Sequence, residues 1–169
     1  DQMAVHVPLS HEACLEAMVL MLASHNILHP ANGVPITVPS QDMVLGIYYI
    51  TKARPNQKGQ GLVFYGPEEV QIAFNEGAVA LHAIIKVRLP TFDANTQTYV
   101  VDEQGNAAYE LVETTVGRVL FNQIVPKKVG YINRLLTKGS LRGVILDIYN
   151  ATGQARAARF LDDLKSLGF

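Results

Sequence analysis

Residues 81–89 read LHAIIKVRL and decide the fold class, because apolar side chains recur there at every second position. This period is typical of a half-buried strand, with one apolar face formed by Leu81, Ala83, Ile85, Val87 and Leu89. Downstream, residues 97–101 and 109–115 flank a turn at residues 102–106 and predict a hairpin. We therefore expect a small, mostly antiparallel sheet.

Helix signals lie on both sides of this sheet in the chain. Ser10 and Ser40 are candidate N-caps of two helices, and Pro67 is placed at the first helical position of a third. Thr137 is a candidate N-cap of a later helix that ends before Gly153, and a last helix follows. This order lacks the regular alternation of a doubly wound sheet. We expect an α+β fold in which helices pack with the small sheet and the C-terminal part is helical.

Two further segments give separate predictions of secondary structure. Residues 3–7 alternate in a strand pattern that Pro8 ends, and the helix after Ser10 is apolar nearly all round, which is typical of a buried helix. Residues 116–125 fit a strand or a short helix equally well, because periodicity does not distinguish the two over a short run.

The charge balance excludes some classes of function. The chain has 169 residues, with 14 Lys and Arg against 15 Asp and Glu, for a formal net charge of −1. Such a field is too weak to capture nucleic acid or an anionic membrane through electrostatics alone. Apolar residues make up 49% of the chain and charged residues only 17%, and the mean hydropathy is +0.14. We therefore expect part of the surface to contact a partner.

The cellular location is predicted from what the sequence lacks. The single cysteine, Cys14, cannot form an internal disulfide, and no charged segment followed by an apolar stretch opens the chain. No apolar run approaches the roughly 18 residues of a membrane span. We expect a cytoplasmic protein without membrane contact, and the start at Asp1 without a Met is typical of an excised segment.

Three side chains could in principle support a small metal or thiol enzyme. His25 and His29 are four positions apart, but no Glu follows His25 as the zincin motif requires, and Pro30 indicates that the helix ends there. Cys14 lies on a buried helical pattern, where a free cysteine behaves as a small hydrophobe. Capping or surface roles for the histidines and a packing role for the cysteine are therefore favoured.

Three polar side chains, Asp1, Gln41 and Asp42, are candidates for a functional site because of their positions. Asp1 is a carboxylate at the end of a strand pattern, where metal-ligating carboxylates often lie. Gln41 and Asp42 open the second helix beside a Pro-rich loop that contains Asn32, and the unpaired N–H groups of a helix start could line a binding surface. Ordinary capping explains Gln41 and Asp42 equally well.

These candidates belong to a series of motifs that extends along the whole chain. The motifs are residues 1–10 (DQMAVHVPLS), 26–28 (NIL), 30–33 (PANG), 39–42 (PSQD), 45–49 (LGIYY), 66–69 (GPEE), 81–83 (LHA), 114–118 (TTVGR) and 167–169 (LGF). In this order they resemble the largest catalytic subunit of bacterial RNA polymerase, β′. An ordered series is far more specific than any single motif.

The resemblance implies a division of the chain and a role for each part. Residues 1–10 would be the tail end of the active-site motif, and residues 11–169 the pore domain that lines the secondary channel, where nucleoside triphosphates enter and backtracked RNA leaves. In the family motif NADFDGD, three aspartates hold the catalytic Mg²⁺, and Asp1 would be the last of them. Asn32, Gln41 and Asp42 are the candidate channel-lining residues.

The resemblance also implies an activity and partners. The activity is nucleotidyl transfer by DNA-directed RNA polymerase in the intact complex. The isolated chain, with one of three aspartates, is not expected to be active, because Mg²⁺ needs several ligands in octahedral geometry. The implied partners are the β, α and ω subunits, the rest of β′, the DNA template, RNA and nucleoside triphosphates.

Two alternatives stay open beside this interpretation. Lys138 and Tyr149 match the spacing of a basic and an aromatic residue at the family's contact with ω, where some enzymes bind the alarmone guanosine tetraphosphate, although Arg142 and Ile145 depart from that pattern. The second alternative is a free-standing structural or interaction module that is related to this domain and has no polymerase role.

Overall fold

The computed structural model describes residues 2–169 and shows helices and short strands in irregular order. Within this range the α-helices are α1 (His11–Glu16), α2 (Asp42–Thr51), α3 (Pro67–Asn75), α4 (Val116–Asn122), α5 (Lys138–Thr152) and α6 (Gln154–Gly168). The strands are β1 (Val63–Phe64), β2 (Ile84–Pro90), β3 (Phe92–Asp93), β4 (Thr98–Tyr99) and β5 (Tyr109–Thr115). A π-helical turn at Ala17–Met21 and 3₁₀ turns at Ala23–His25 and Lys127–Val129 add to them. The predicted α+β class with a helical C-terminal part is confirmed.

The central sheet has three strands in the order β1-β2-β5. β2 and β5 are antiparallel along their full length, from Ile84 opposite Thr115 to Pro90 opposite Tyr109. β1, in contrast, runs parallel to β2, so the sheet is mixed. The connection from β1 to β2 contains α3, and parallel strands need a crossover of this kind.

The predicted alternation along β2 is confirmed. Ile85, Val87 and Leu89 are buried, and Lys86 between them is exposed. The strand begins at Ile84, later than predicted.

The predicted hairpin is only partly correct. The turn at residues 102–106 forms, since Val101 bridges to Ala107 and the Asp102 N–H donates to the Asn106 carbonyl oxygen at 2.8 Å. The long strand β5, however, pairs with β2, whereas β4 pairs with β3. The seven residues of β2, with one buried face, provide a longer partner than residues 97–101, which lie mainly on the surface.

Two apolar clusters fill the interior. The helical cluster contains Ile27, Ile47, Phe121, Val125, Ile132, Leu136, Leu141, Val144, Ile145, Ile148, Ala157, Phe160 and Leu164. The sheet cluster contains Phe64, Val70, Val79, Ala83, Ile85, Val87, Leu89, Val116 and Val119. The segment that was ambiguous from sequence is the helix α4, and it joins the clusters, with Val116 and Val119 in one and Phe121 in the other.

Two glycines permit close backbone contacts that position α2. A Cβ at Gly46 would collide with the backbone of Gly168 in α6, and a Cβ at Gly117 in α4 would collide with the carbonyl group of Ile50. Both positions therefore require glycine. α2 packs against α6 through its first half and against α4 near its end.

The N-terminal segment differs from its expectation. Residues 2–9 form no strand, because no neighbouring strand within residues 2–169 offers them hydrogen bonds. The Ser10 cap is confirmed, since its hydroxyl accepts a hydrogen bond from the Ala13 N–H at 3.1 Å. The predicted burial of this helix is wrong: Met18 and Met21 in the following turn are 65% and 78% exposed. An apolar pattern shows what a helix could bury, but not whether other residues cover it.

The ends of the later helices follow ordinary capping chemistry. Pro67 begins α3, and the Thr137 hydroxyl accepts a hydrogen bond from the Ser140 N–H at the start of α5, as predicted. Gly153, with a φ of 81°, follows α5. The predicted Ser40 cap is wrong by one residue, since Gln41 is the N-cap of α2. Among residues 2–169, none of the helices has the length and apolar character to cross a membrane.

Candidate functional site

The start of α2 presents Gln41 and Asp42, two of the predicted channel residues, to solvent. Gln41 has a φ of 49° and a ψ of −119°, and its side chain makes no capping hydrogen bond. A positive φ is uncommon outside glycine and is retained only where the surroundings determine the backbone. Asp42 is the first helical residue, where the helix dipole favours a carboxylate. The Gln41 side chain is thus not used by the helix that it precedes.

The backbone on both sides of Gln41 is fixed. Pro39 is buried two residues earlier. The carbonyl oxygens of Ser40 and Gln41 accept hydrogen bonds from the N–H groups of Met43 and Leu45, both at 3.2 Å. With Gly46 packed on α6 in the next turn, the first turn of α2 is a rigid support for its exposed side chains.

Asn32 lies in the breaker-rich loop before α2 and is also exposed. Its side-chain oxygen accepts a hydrogen bond from the Val34 N–H at 3.1 Å, within its own turn. Leu28 and Pro35 form a β-bridge at the base of this loop. The structure therefore places Asn32 through local contacts and does not join it to the start of α2 by a hydrogen bond.

A network of polar groups, here named the polar junction, lies at the other end of α2 and comprises Thr51, Thr114, Arg118, Tyr131 and Asn133. The Arg118 guanidinium donates from Nε to the Thr51 carbonyl oxygen and from Nη1 to Asn133 Oδ1, both at 3.0 Å. Asn133 Nδ2 donates to the carbonyl oxygen of Glu113 in β5 at 2.8 Å. Burial lowers the pKa of Arg118, opposed by the nearby Tyr131. The junction thus connects α2, α4 and β5.

Three hydroxyl groups complete the polar junction. The Thr51 hydroxyl donates to the Ile47 carbonyl oxygen at 2.9 Å and accepts from the Leu136 N–H at 3.1 Å. The hydroxyls of Thr114 and Tyr131 are 2.9 Å apart. Burial raises the pKa of Tyr131 to about 12, against the opposing effects of the Thr114 hydrogen bond and of Arg118.

His82 is a buried imidazole next to this junction, only 5% exposed. Its Nδ1 lies 3.0 Å from the Lys52 carbonyl oxygen, so the tautomer that carries hydrogen on Nδ1 donates there. The Tyr49 ring meets the imidazole edge-on at 4.5 Å. Within the described residues, Nε2 has no hydrogen-bond partner. His82 thus secures the chain just after α2.

The residues considered for a metal or thiol enzyme are engaged elsewhere or isolated. His25 Nδ1 lies 3.4 Å from the Val19 carbonyl oxygen, and His29 Nδ1 accepts a hydrogen bond from the Ala31 N–H at 3.1 Å. Cys14 is half-buried in α1. Residues 2–169 hold no group of three or more His, Cys, Asp or Glu that could bind a metal ion.

Three other candidates from the sequence are placed as follows. Asp1, the candidate metal ligand, lies outside the described residues. Lys138 begins α5 and Tyr149 lies in its last turn, so the two are about 16 Å apart along the helix axis. Lys138 is exposed and Tyr149 half-buried.

A comparison with known protein families identifies the family to which this fold belongs. A family model described as RNA polymerase Rpb1, domain 3, matches residues 26–169. The chain is a member of the RNA polymerase Rpb1 domain 3 family. The domain 3 match includes the start of α2, the polar junction and both apolar clusters, whereas α1 and the exposed turn after it precede the match.

Curated relatives of this domain 3 chain resemble it along its full length. It is 60% identical over 169 residues to the "DNA-directed RNA polymerase subunit beta'" of Porphyromonas cangingivalis and 59% identical over 169 residues to that of Bacteroides fragilis. The subunit of Flavobacterium psychrophilum is 53% identical over 174 residues. All of this chain is covered in each comparison, but it spans only 14%, 11% and 12% of these relatives. The predicted resemblance to bacterial β′ is confirmed.

The polar junction could not be predicted from the sequence. Thr114 and Arg118 belong to the motif at residues 114–118, which contributes to the family resemblance. Arg118 and Thr51 are 67 positions apart, and no local period connects them. The signal available in the sequence was the charged Arg118 within the otherwise apolar run at residues 116–125.

Proposed function

We propose that this chain is the part of a bacterial RNA polymerase β′ subunit that forms one wall of the secondary channel. Residues 11–169 would be the pore domain, and residues 1–10 would be the tail end of the active-site motif. In this role the chain contributes to nucleotidyl transfer in transcription as part of the intact enzyme, with the other subunits, DNA, RNA and nucleoside triphosphates as partners. The observation that carries the proposal is the 60% identity to a β′ subunit over all 169 residues.

The start of α2 fits a channel wall through its chemistry. Gln41 and Asp42 are exposed on a rigid helix start, and Asn32 is exposed on the preceding loop. The amide groups of Asn32 and Gln41 can donate hydrogen bonds to an anion, whereas the Asp42 carboxylate repels it, so this surface lacks the strong attraction of a basic cluster. Transit through a channel requires binding that is weak enough to permit release. These three side chains are therefore proposed to line the route of nucleoside triphosphates and RNA 3′ ends.

Asp1 is proposed as one Mg²⁺ ligand of the assembled enzyme. The described residues alone do not fit such an ion, because none of their acidic, His and Cys side chains form a group of three. Mg²⁺ prefers oxygen ligands in octahedral geometry, and a single carboxylate does not hold it. The ion would therefore depend on ligands outside residues 2–169.

The channel role is tested by Gln41→Ala in polymerase reconstituted with the full-length subunit. The expected result is a change in the nucleotide concentration that supports half-maximal elongation, in pausing or in transcript cleavage, with thermal stability unchanged. Gln104→Ala is the matched control, because Gln104 is an exposed glutamine in the turn at residues 102–106. An elongation and cleavage profile equal to that of the control would remove Gln41 from the channel wall.

The metal-ligand role is tested by Asp1→Ala in the same reconstituted enzyme. RNA synthesis should be abolished while assembly and folding are retained. Asp162→Ala, which removes an exposed carboxylate from α6, should leave synthesis unchanged. Full activity of the Asp1 variant would contradict the role.

A further inference from the structure

The outward side of the central sheet forms a surface that the channel role does not use. Its members, here named the outer sheet face, are Val63, Tyr65, Lys86, Arg88, Tyr109, Leu111 and Glu113. Side chains on a strand alternate between two faces, so these residues lie opposite the buried Ile85 and Val87. The strand register places Arg88 directly across from Leu111.

Arg88 lies between two tyrosine rings at the centre of this face. Its guanidinium carbon is 4.9 Å from the centre of the Tyr65 ring and 4.4 Å from that of the Tyr109 ring. Such cation–π contacts orient the guanidinium without using its five N–H donors. Among residues 2–169 no carboxylate bonds to Arg88. The tyrosines therefore hold a planar donor group whose hydrogen-bonding capacity is unused.

Arg88 is half-buried, and the large side chains around it are exposed. Tyr65 is 77% exposed, Val63 60% and Leu111 54%. Tyrosine and arginine are the residue types that dominate binding energy at protein interfaces, particularly where apolar neighbours exclude water. The composition of this face is thus that of an interface centre.

We infer that the outer sheet face binds a separate protein chain that inserts an aspartate or glutamate side chain, flanked by apolar residues, against Arg88. The carboxylate would accept two parallel hydrogen bonds from the guanidinium, the geometry in which this pair is strongest. The flanking apolar side chains would cover Val63 and Leu111.

The charge on the outer sheet face favours a protein over a nucleic acid. Glu113 lies directly across from Lys86, so one of the two cations on this face stands beside a carboxylate. Nucleic acid binding relies on neutralising many phosphates with a basic surface. A nearly neutral face with one oriented arginine instead matches a single carboxylate.

The test is site-specific photo-crosslinking in cells that carry the full-length subunit, with a benzophenone amino acid in place of Val63, which is exposed on this face and does not contact the guanidinium through a ring. The crosslinked peptide should map to one segment of a different polypeptide that contains Asp or Glu between apolar residues. Arg88→Gln should reduce the yield of this crosslink about tenfold, the loss expected when a carboxylate loses a charged partner. The matched control Arg159→Gln, an exposed arginine on α6, should leave the yield unchanged.

A charge exchange makes the test specific to the pair. Arg88→Glu should abolish the crosslink, and replacing the mapped acidic residue of the partner with arginine should restore it. The inference is overturned by a crosslink to nucleic acid, to another segment of the same polypeptide or to a peptide without a carboxylate. It is also overturned if no crosslink forms, if Arg88→Gln leaves the crosslink yield unchanged, or if the charge exchange does not restore the crosslink.

Discussion

The segment at residues 11–22 and the helix α6 are both rich in apolar side chains but differ in what surrounds them. In α6, Phe160 and Leu164 are fully buried by side chains of the helical cluster. In the N-terminal segment, Leu20 is 67% exposed. The comparison shows that apolar content measures the capacity for burial, whereas burial itself depends on neighbours that come from elsewhere in the chain.

The widths of the two apolar surfaces differ as well. α6 carries its buried residues on one side and arginines on the other, which suits a helix at the edge of a core. Residues 11–22 are apolar on several sides, and no second helix within the described chain covers them. The narrow apolar stripe of a helix can be buried by neighbouring elements of one domain. A helix that is apolar on all sides needs neighbours on every side.

The largest expected effect is in α6, the helix whose apolar side chains are buried. Phe160→Ala should lower the free energy of unfolding by about 3–5 kcal/mol, since it removes a fully buried ring and leaves a cavity. Chemical denaturation measures the change. Phe169→Ala is the matched control, because Phe169 is 82% exposed and its removal should cost less than about 0.5 kcal/mol. Equal effects of the two variants would refute the assignment of α6 to the core.

The second expected effect concerns Tyr131, which packs against the sheet cluster and whose hydroxyl belongs to the polar junction. The pKa of Tyr131 is about 12, above its ordinary value of 10.0, so the folded state holds this proton more tightly than the unfolded state. The stabilisation is complete below pH 10 and is lost as the pH rises through 12, which amounts to about 2–3 kcal/mol.

Tyr131→Phe should remove this part of the alkaline loss of stability, as measured by denaturation at a series of pH values. Tyr65→Phe, at an exposed tyrosine, should keep the wild-type pH dependence. An unchanged slope between pH 10 and 12 for Tyr131→Phe would show that the phenol is not buried as described.

The third effect concerns the close contact by which α2 covers part of α6. Gly46→Ala should lower the free energy of unfolding by about 2 kcal/mol, because the added methyl group must displace the backbone of Gly168. Gly143→Ala in α5 is the matched control. A methyl group there meets open space and should stabilise the helix by up to about 1 kcal/mol. Opposite signs for the two variants are the expected outcome of a thermal unfolding experiment, and equal signs would contradict the contact.

The smallest effect is expected in the N-terminal segment at residues 11–22, whose apolar side chains are exposed. Leu20→Ser should change the free energy of unfolding by less than about 0.5 kcal/mol, because the side chain is already in contact with water. Leu164→Ser, the same substitution at a fully buried leucine, should cost several times more. If both cost the same amount, the N-terminal segment would be packed in solution and the comparison would fail.

Local chemistry accounts for the features that could be predicted from the sequence. The alternation at Ile85, Val87 and Leu89, the caps at Ser10 and Thr137 and the proline start of α3 each depend on a few neighbouring residues. These signals were sufficient for the α+β class. They were also sufficient to draw attention to Gln41 and Asp42, since a helix start is visible in the sequence.

Contacts between distant segments explain what could not be predicted. β5 pairs with β2 and not with its neighbour in sequence, because the longer ladder also buries a face. The positive φ of Gln41 has no signal in its residue type, and Arg118 reaches Thr51 across 67 positions. No single-residue preference encodes such pairings. The resemblance to a family was informative about function where the periodicity was not.

The contact between α2 and α6 has a mechanical consequence. Gly168 packs against the backbone of Met43 and Gly46, so the end of the last helix lies directly on the first turns of α2. Backbone atoms in contact leave no flexible side chain that could absorb a displacement. A displacement of the C-terminal end of α6 towards α2 would therefore also have to move the first turns of α2, the helix that begins beside Gln41.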